Sequence, residues 1–249
     1  MKQAYRRVLA QASGPTFTLT LQTDTIQTKA NNAVFNAPLV SQVATLQTGD
    51  SIIDTGSGGT LHAVFNPVIV NLIGAAIQGI PTWNLTNVGT WSAPQWIACG
   101  SLVGGLQILN DIRSIAPIVV GVTGASLSHA LTTIGLTGTA SDLTALIAPS
   151  ALSGSSNTLT VNLHNAGTSS SGSVLTVGPD GNAANGYDAW HLNATGNNWV
   201  TLSQGSATSA TFFKISGSGM LRLFGNNGWP NLASVDASTF TGNLFLSNF

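Results

Sequence analysis

An all-β fold of stacked units is what this sequence predicts, on three observations. One stretch is written twice: Asp24–Ala37 (DTIQTKANNAVFNA) and Asp50–Ala63 (DSIIDTGSGGTLHA) align without a gap at an offset of 26 residues. Repeats on that scale mark one structural unit laid on a copy of itself. There is no Glu and only 7 Lys plus Arg, so strong helix formers are nearly missing, and Thr, Ser, Asn, Gly and Val, residues of strands and turns, take their place. From Asn157 on, short runs (TLTVNL, SVLTVG, WVTLS, TFFKIS, MLRLF, NLFLS) alternate with Gly, Asn and Ser clusters, the pattern of a sandwich, barrel or solenoid.

The elements follow in order. Pro15 to Gln22 (PTFTLTLQ) sets Phe17, Leu19 and Leu21 against Thr18 and Thr20, a half-buried strand by its period of two. The repeated unit follows, and Asn66-Pro67 punctuates it. Residues 67–150 form a more apolar middle segment. Here Ser101–Ile112 and Ser141–Ile147 are expected as one or two short helices, the second capped by Ser141 and Asp142. Trp83, Trp91 and Trp96 cluster in this segment beside Pro81 and Pro94. Aromatic side chains mostly supply packing area; the sharper alternative is a sugar-stacking surface, which would make the chain an adhesin or glycan-binding module. Residues 151–249 are the ladder of strands and turns.

Composition bounds the function. The chain has 249 residues, enough to bury a substantial core without staples. Only 6% of residues are charged, against about 25% in ordinary domains. Net charge is −1, so nothing neutralises phosphates and nucleic acid is not an expected partner. Low charge also gives little colloidal repulsion, which favours association. All 8 acids are Asp, and so few carboxylates predict stability that varies weakly with pH. The longest apolar run, Val68–Ile80, holds Asn71 and Gln78 and spans 13 residues, short of the roughly 20 of a spanning helix; the chain is not expected to cross a membrane. Cys99 is the single cysteine, which leaves no internal disulfide and no C-x-x-C site. The first residues, MKQAYRRVLAQASG, lack the apolar core of a Sec leader, so the chain is expected to be cytoplasmic or exported by a route that reads another part of it.

Catalysis is not expected. Asp54-Thr55-Gly56-Ser57 after Ile52-Ile53 is similar to the active-site turn of aspartic proteases. That chemistry needs two carboxylates sharing a proton, hence a second D-T-G or a symmetric dimer. No second D-T-G occurs, so a protease dimer is a remote alternative. Ser128-His129 has no G-x-S-x-G elbow beside it, and His62, His129, His164 and His191 show no zinc spacing.

The stretches FTLTLQTDTI and TGDSIIDTGSGGTL resemble the degenerate glycine/aspartate repeats of RTX-type and bacterial surface-layer proteins. FKISGSGMLRLFGNNGWPNLASVDASTFTGNLFLS resembles the β-strand repeats of the same surface-layer (S-layer) proteins. The resemblance implies a β-solenoid or β-roll, with a β-sandwich as the alternative. It implies a secreted, extracellular, self-assembling coat or filament, exported by a type I route. It also implies Ca²⁺ between turns. The calcium nonapeptide is intact nowhere, and Thr60 stands where an Asp would serve, so a single weak Ca²⁺ site on Asp50 and Asp54 is the expectation. The chain's expected partner is itself, with a cell-surface glycan as a second. The contacts are expected at the two terminal strands, through Phe17, Leu19, Leu21, Leu244, Leu246 and Phe249.

Overall fold

The computed structural model describes residues 14–66, 75–90, 94–100, 103–154 and 156–249. The chain is a β-solenoid. One parallel sheet of ten strands runs the length of the molecule: Thr16–Thr18, Val34–Ala37, Thr60–Phe65, Thr82–Asn87, Ile108–Ile112, Thr133–Thr137, Thr158–His164, Ala189–Thr195, Phe212–Gly217 and Ser234–Phe240. A second parallel sheet has seven strands: Gln95–Ile97, Ile118–Val120, Leu143–Ile147, Ser173–Pro179, Asn197–Ser203, Met220–Phe224 and Asn243–Ser247. A third, of four strands, serves only the N-terminal half: Thr25–Thr28, Ser51–Asp54, Ala76–Gln78 and Val103–Gly104. The first sheet passes through all three sequence segments, and its companion changes from the third sheet to the second within the middle one.

The repeat in the sequence is the stacking register. Thr25 pairs with Ser51, Ile26 with Ile52 and Thr28 with Asp54 in the third sheet. Val34 pairs with Thr60 and Phe35 with Leu61 in the first. Every pair keeps the offset of 26. Coil length then varies, from 18 residues between Phe17 and Phe35 to 32 between Leu143 and Leu175, which is why no longer period is visible in the sequence.

Alternation along each strand points every second side chain inward, and stacking turns those side chains into rows. Phe35, Leu61, Trp83, Leu109, Ile134, Val161, Leu192 and Ile215 follow one another up the first sheet, all buried. Ile26, Ile52, Ile77 and Val103 form the row of the third sheet. Fully burying a side chain of this size contributes about 1.5–3 kcal/mol, and here the gain is repeated at each coil.

The middle segment holds strands where helices were expected. Ile108–Ile112 and Leu143–Ile147 are both parallel strands, and Ser101 lies outside the described residues. The alternation of Leu143, Ala145 and Ile147 with Thr144 and Leu146 points one set into the core, and ladder pairing on both sides overrides the local capping signal. The helical piece among the described residues is one 3-10 turn, Pro149–Leu152. The run Val68–Ile80 lies largely outside the described residues.

A glycine column turns the corner into the second sheet. Gly196, Gly219 and Gly242 each precede a strand of that sheet in register, Asn197, Met220 and Asn243 being paired. A Cβ on Gly219 would meet the Gly196 carbonyl, and one on Gly242 the Gly219 carbonyl. Gly219 also has φ +99, a region closed to other residues. Gly219→Ala is therefore expected to cost about 2–4 kcal/mol, read as a fall in the urea midpoint; an unchanged midpoint would show that the corner gives way freely.

Candidate assembly interface

The site expected at the terminal strands is best built from the inward rows. In the second sheet, Val200, Leu223 and Leu246 form one row and Asn198, Leu221 and Leu244 the next. Leu221 and Leu223 are fully buried, whereas Leu246 is 42% exposed although it points the same way. In the first sheet Trp190, Phe213 and Val235 stack, and Val235 is 39% exposed where Phe213 is buried. Phe249 closes over Phe213 and Trp229, with ring centroids 5.5 and 6.1 Å away, and keeps 36% of its surface exposed. These are core residues of the last coil whose upper side has no cover among the described residues.

The two strands at this end differ. The pairing of Phe212–Gly217 with Ser234–Phe240 shifts register, Lys214 opposing Asp236 but Ser216 opposing Thr239. Such a bulge bends an edge strand and blunts further pairing. The Ser238 hydroxyl and backbone N–H hold the Asp236 carboxyl below its ordinary range, with Lys214 adding less. Asn243–Ser247 has no bulge: Met220 to Phe224 pair with it residue by residue. Its outer edge is regular, apolar and uncharged.

At the other end Thr16–Thr18 is the edge of the first sheet, and Phe17 stacks on Phe35 at 5.4 Å. The expected strand through Gln22 stops at Thr18. Leu19 is 2% exposed, so it belongs to the core and is not open to a partner, while Leu21 is exposed beyond the strand.

The two candidate calcium ligands are not brought together. Asp50 precedes the strand Ser51–Asp54 and Asp54 ends it, a separation of four residues, or ~13 Å along an extended chain. One Ca²⁺ needs six to eight oxygens at 2.3–2.6 Å. Both carboxylates serve the backbone instead. Asp50 accepts the Asp24 N–H at 2.9 Å and the Gln47 N–H at 2.7 Å. Burial pushes its carboxyl up, and those two hydrogen bonds offset part of that. Asp54 accepts the Gly56 N–H at 2.9 Å, and its other oxygen is buried without a partner. The pair does not fit a shared ion. In the stack, Thr28 lies in register with Asp54 on one side, so no second carboxylate faces the D-T-G turn there.

Other sequence candidates are dispersed. Trp83 is in an inward row and 1% exposed; Trp96 is exposed on the outer face of the second sheet; Trp91 lies outside the described residues. Trp83 and Trp96 do not share a contact surface. Ser128 and His129 are exposed neighbours bonded to each other at 2.9 Å. Cys99 is buried, and its thiol is pushed up to about 12 by that burial, which makes it an unreactive core residue.

Two features were missed in the sequence. One is Asp111, which lies fully buried between Leu85 and Leu136 of an inward row. The other is a basic-aromatic column on the second sheet, visible only once the register of its last three strands is known. Compared with protein-family models and with curated proteins, the chain matches none. No helix among the described residues is long and apolar enough to cross a membrane.

Proposed function

We propose that the chain is a secreted structural protein that assembles with copies of itself into an extracellular filament or S-layer coat, through the open end of the solenoid. The observation that carries the reading is the inward row at Leu244 and Leu246, which no described residue covers, on a regular, uncharged edge strand. Most proteins blunt such an edge with charge, Pro or a bulge, and Asn243–Ser247 has none of these. The opposite end presents different strands, so a contact between the two ends is heterologous and does not close, which gives a filament; lateral contacts between filaments extend it to a sheet. The resemblance of the C-terminal stretch to surface-layer repeats supports the same reading.

The test is electron microscopy and sedimentation of the full chain beside Leu246→Lys. The wild type is expected to polymerise. The variant is expected to stay monomeric with its melting temperature within a few degrees, because Leu246 is already partly solvated and a lysine there blocks edge pairing. Equal polymers from both proteins, or monomers from both, would overturn the reading. A point substitution is the better tool than deleting residues 243–249: a solenoid shortened by one strand presents the next one, Met220–Phe224, as a new edge. Grids prepared with calcium and with a chelator are expected to look alike, because the Asp50 oxygens are taken by backbone N–H groups; loss of polymer on chelation would place the ion on other residues.

A further inference from the structure

We infer that the outer face of the last three strands of the second sheet is a binding platform for an acidic polysaccharide, a chain of sugar rings carrying carboxylates. This does not rest on the assembly reading, since it concerns the outward side chains of these strands and not the inward rows at their open end.

Trp199, Arg222 and Phe245 stand in one outward column, each in register with the next. The residues flanking the column along its strands, Asn198 and Val200 beside Trp199 and Leu221 and Leu223 beside Arg222, are buried, so the column faces outward. The Arg222 guanidinium lies over the Phe245 ring at 4.7 Å from its centroid, a cation–π contact that holds it flat on the face. Beside it, Phe224 is exposed to 37% and Phe245 to 50%. The outward neighbours Asn197, Asn243 and Thr201 add amides and a hydroxyl to the same surface.

The chemistry selects the partner. A ring stacked on the face of a sugar covers its apolar C–H side, while a carboxylate on that sugar accepts from the guanidinium edge, a charge-assisted bond. Among the described residues no carboxylate of the chain pairs with Arg222, so that edge keeps its charge for a ligand. Trp199 and Phe245 are two rungs apart, ~9.6 Å, a span that a disaccharide of an extended chain bridges. An anionic membrane is disfavoured because one arginine supplies only about 1 kcal/mol of attraction to it, and nucleic acid because a single phosphate contact binds too weakly.

The experiment uses the full-length chain carrying Leu246→Lys, so that polymer formation and glycan binding are read separately. Affinity electrophoresis is run through gels containing polygalacturonate or its methyl-esterified form, which keeps the rings and removes the charge. Retardation is expected in the acid polymer, with binding about tenfold weaker in the ester. Arg222→Gln is expected to abolish the difference between the two gels, Arg222→Lys to restore most of it, and Trp199→Ala to weaken both. The ester comparison needs no further variant, so it decides the matter if a substitution disturbs the last coils. No retardation, equal retardation by acid and ester, or Arg222-dependent binding to phosphatidylserine vesicles that exceeds binding to the polymer would overturn the inference.

Discussion

Asp111→Asn is expected to stabilise the chain at neutral pH by about 1–3 kcal/mol and to flatten a pH dependence that the wild type shows in the acid direction. The carboxyl occupies an inward row position with Leu85 on one side and Leu136 on the other. It is fully buried; the Thr139 hydroxyl donates to one oxygen at 2.9 Å, and the other oxygen has no partner. Among the described residues no cation pairs with it. Burial pushes its pKa from 3.8 to about 6, and the hydroxyls of Ser114, Thr139 and Ser141 offset only part of that. A group raised in the folded state stabilises it below the unfolded value and loses that contribution as pH rises through the folded one. Stability should thus be greatest below about pH 4 as far as this group is concerned, fall as pH rises from there through about 6, and level off above. Asp50 and Asp142 are raised by burial as well and act with the same sign. Melting curves between about pH 4.5 and pH 7.5 check this; a wild-type melting temperature that rises over that interval, or an Asn variant with the same slope as the wild type, would refute it. The small number of carboxylates predicts weak pH dependence, and one carboxylate buried away from solvent is expected to outweigh that.

What was legible in the sequence was whatever is carried by local alternation or by a gapless repeat. Asp24–Ala37 and Asp50–Ala63 gave the offset of 26 that the strand pairing keeps, and the alternation of Phe17, Leu159 and Leu221 with polar neighbours marked strands. The short helices were misread because Ser141-Asp142 is a good cap in isolation. The pairing partners that make Leu143–Ile147 a strand, Ile118–Val120 and Ser173–Pro179, lie a coil away on either side. The environment of the proposed contact residues was half legible. Leu244 and Leu246 could be named as a terminal strand, but that they are core residues without a cover depends on Leu221 and Leu223 beneath them. Leu19 was misplaced for the converse reason: from sequence it resembles Leu21, yet the fold buries one and exposes the other. Asp111 reads as an ordinary surface acid in LNDIRS, because only the row above and below shows that it replaces a leucine.

Trp190→Ala is the substitution expected to cost most in the C-terminal half. Trp190 is fully buried at the centre of an aromatic cluster: Trp229 lies edge-on at 5.1 Å, Tyr187 at 6.1 Å and Phe213 at 6.2 Å between ring centroids. Trp229 and Phe213 are themselves in edge contact at 4.8 Å, and Phe249 rests on both. Removing the indole leaves a cavity that these large rings cannot fill without leaving their own rotamers, and the cost of such a truncation is about 3–5 kcal/mol. How the loss is distributed matters as much as its size. In a stack where each coil touches only its neighbours, a defect weakens the two adjoining interfaces and leaves distant coils as they were. The variant should therefore lose hydrogen-exchange protection from Ala189 onward while the strands before Ile134 keep theirs. Under the proposed assembly, polymer formation should fail along with these coils, in contrast to Leu246→Lys, which is expected to remove polymer and keep protection throughout. Uniform loss of protection along the whole chain would show that the solenoid unfolds as a single cooperative unit, and the nearest-neighbour account would be wrong.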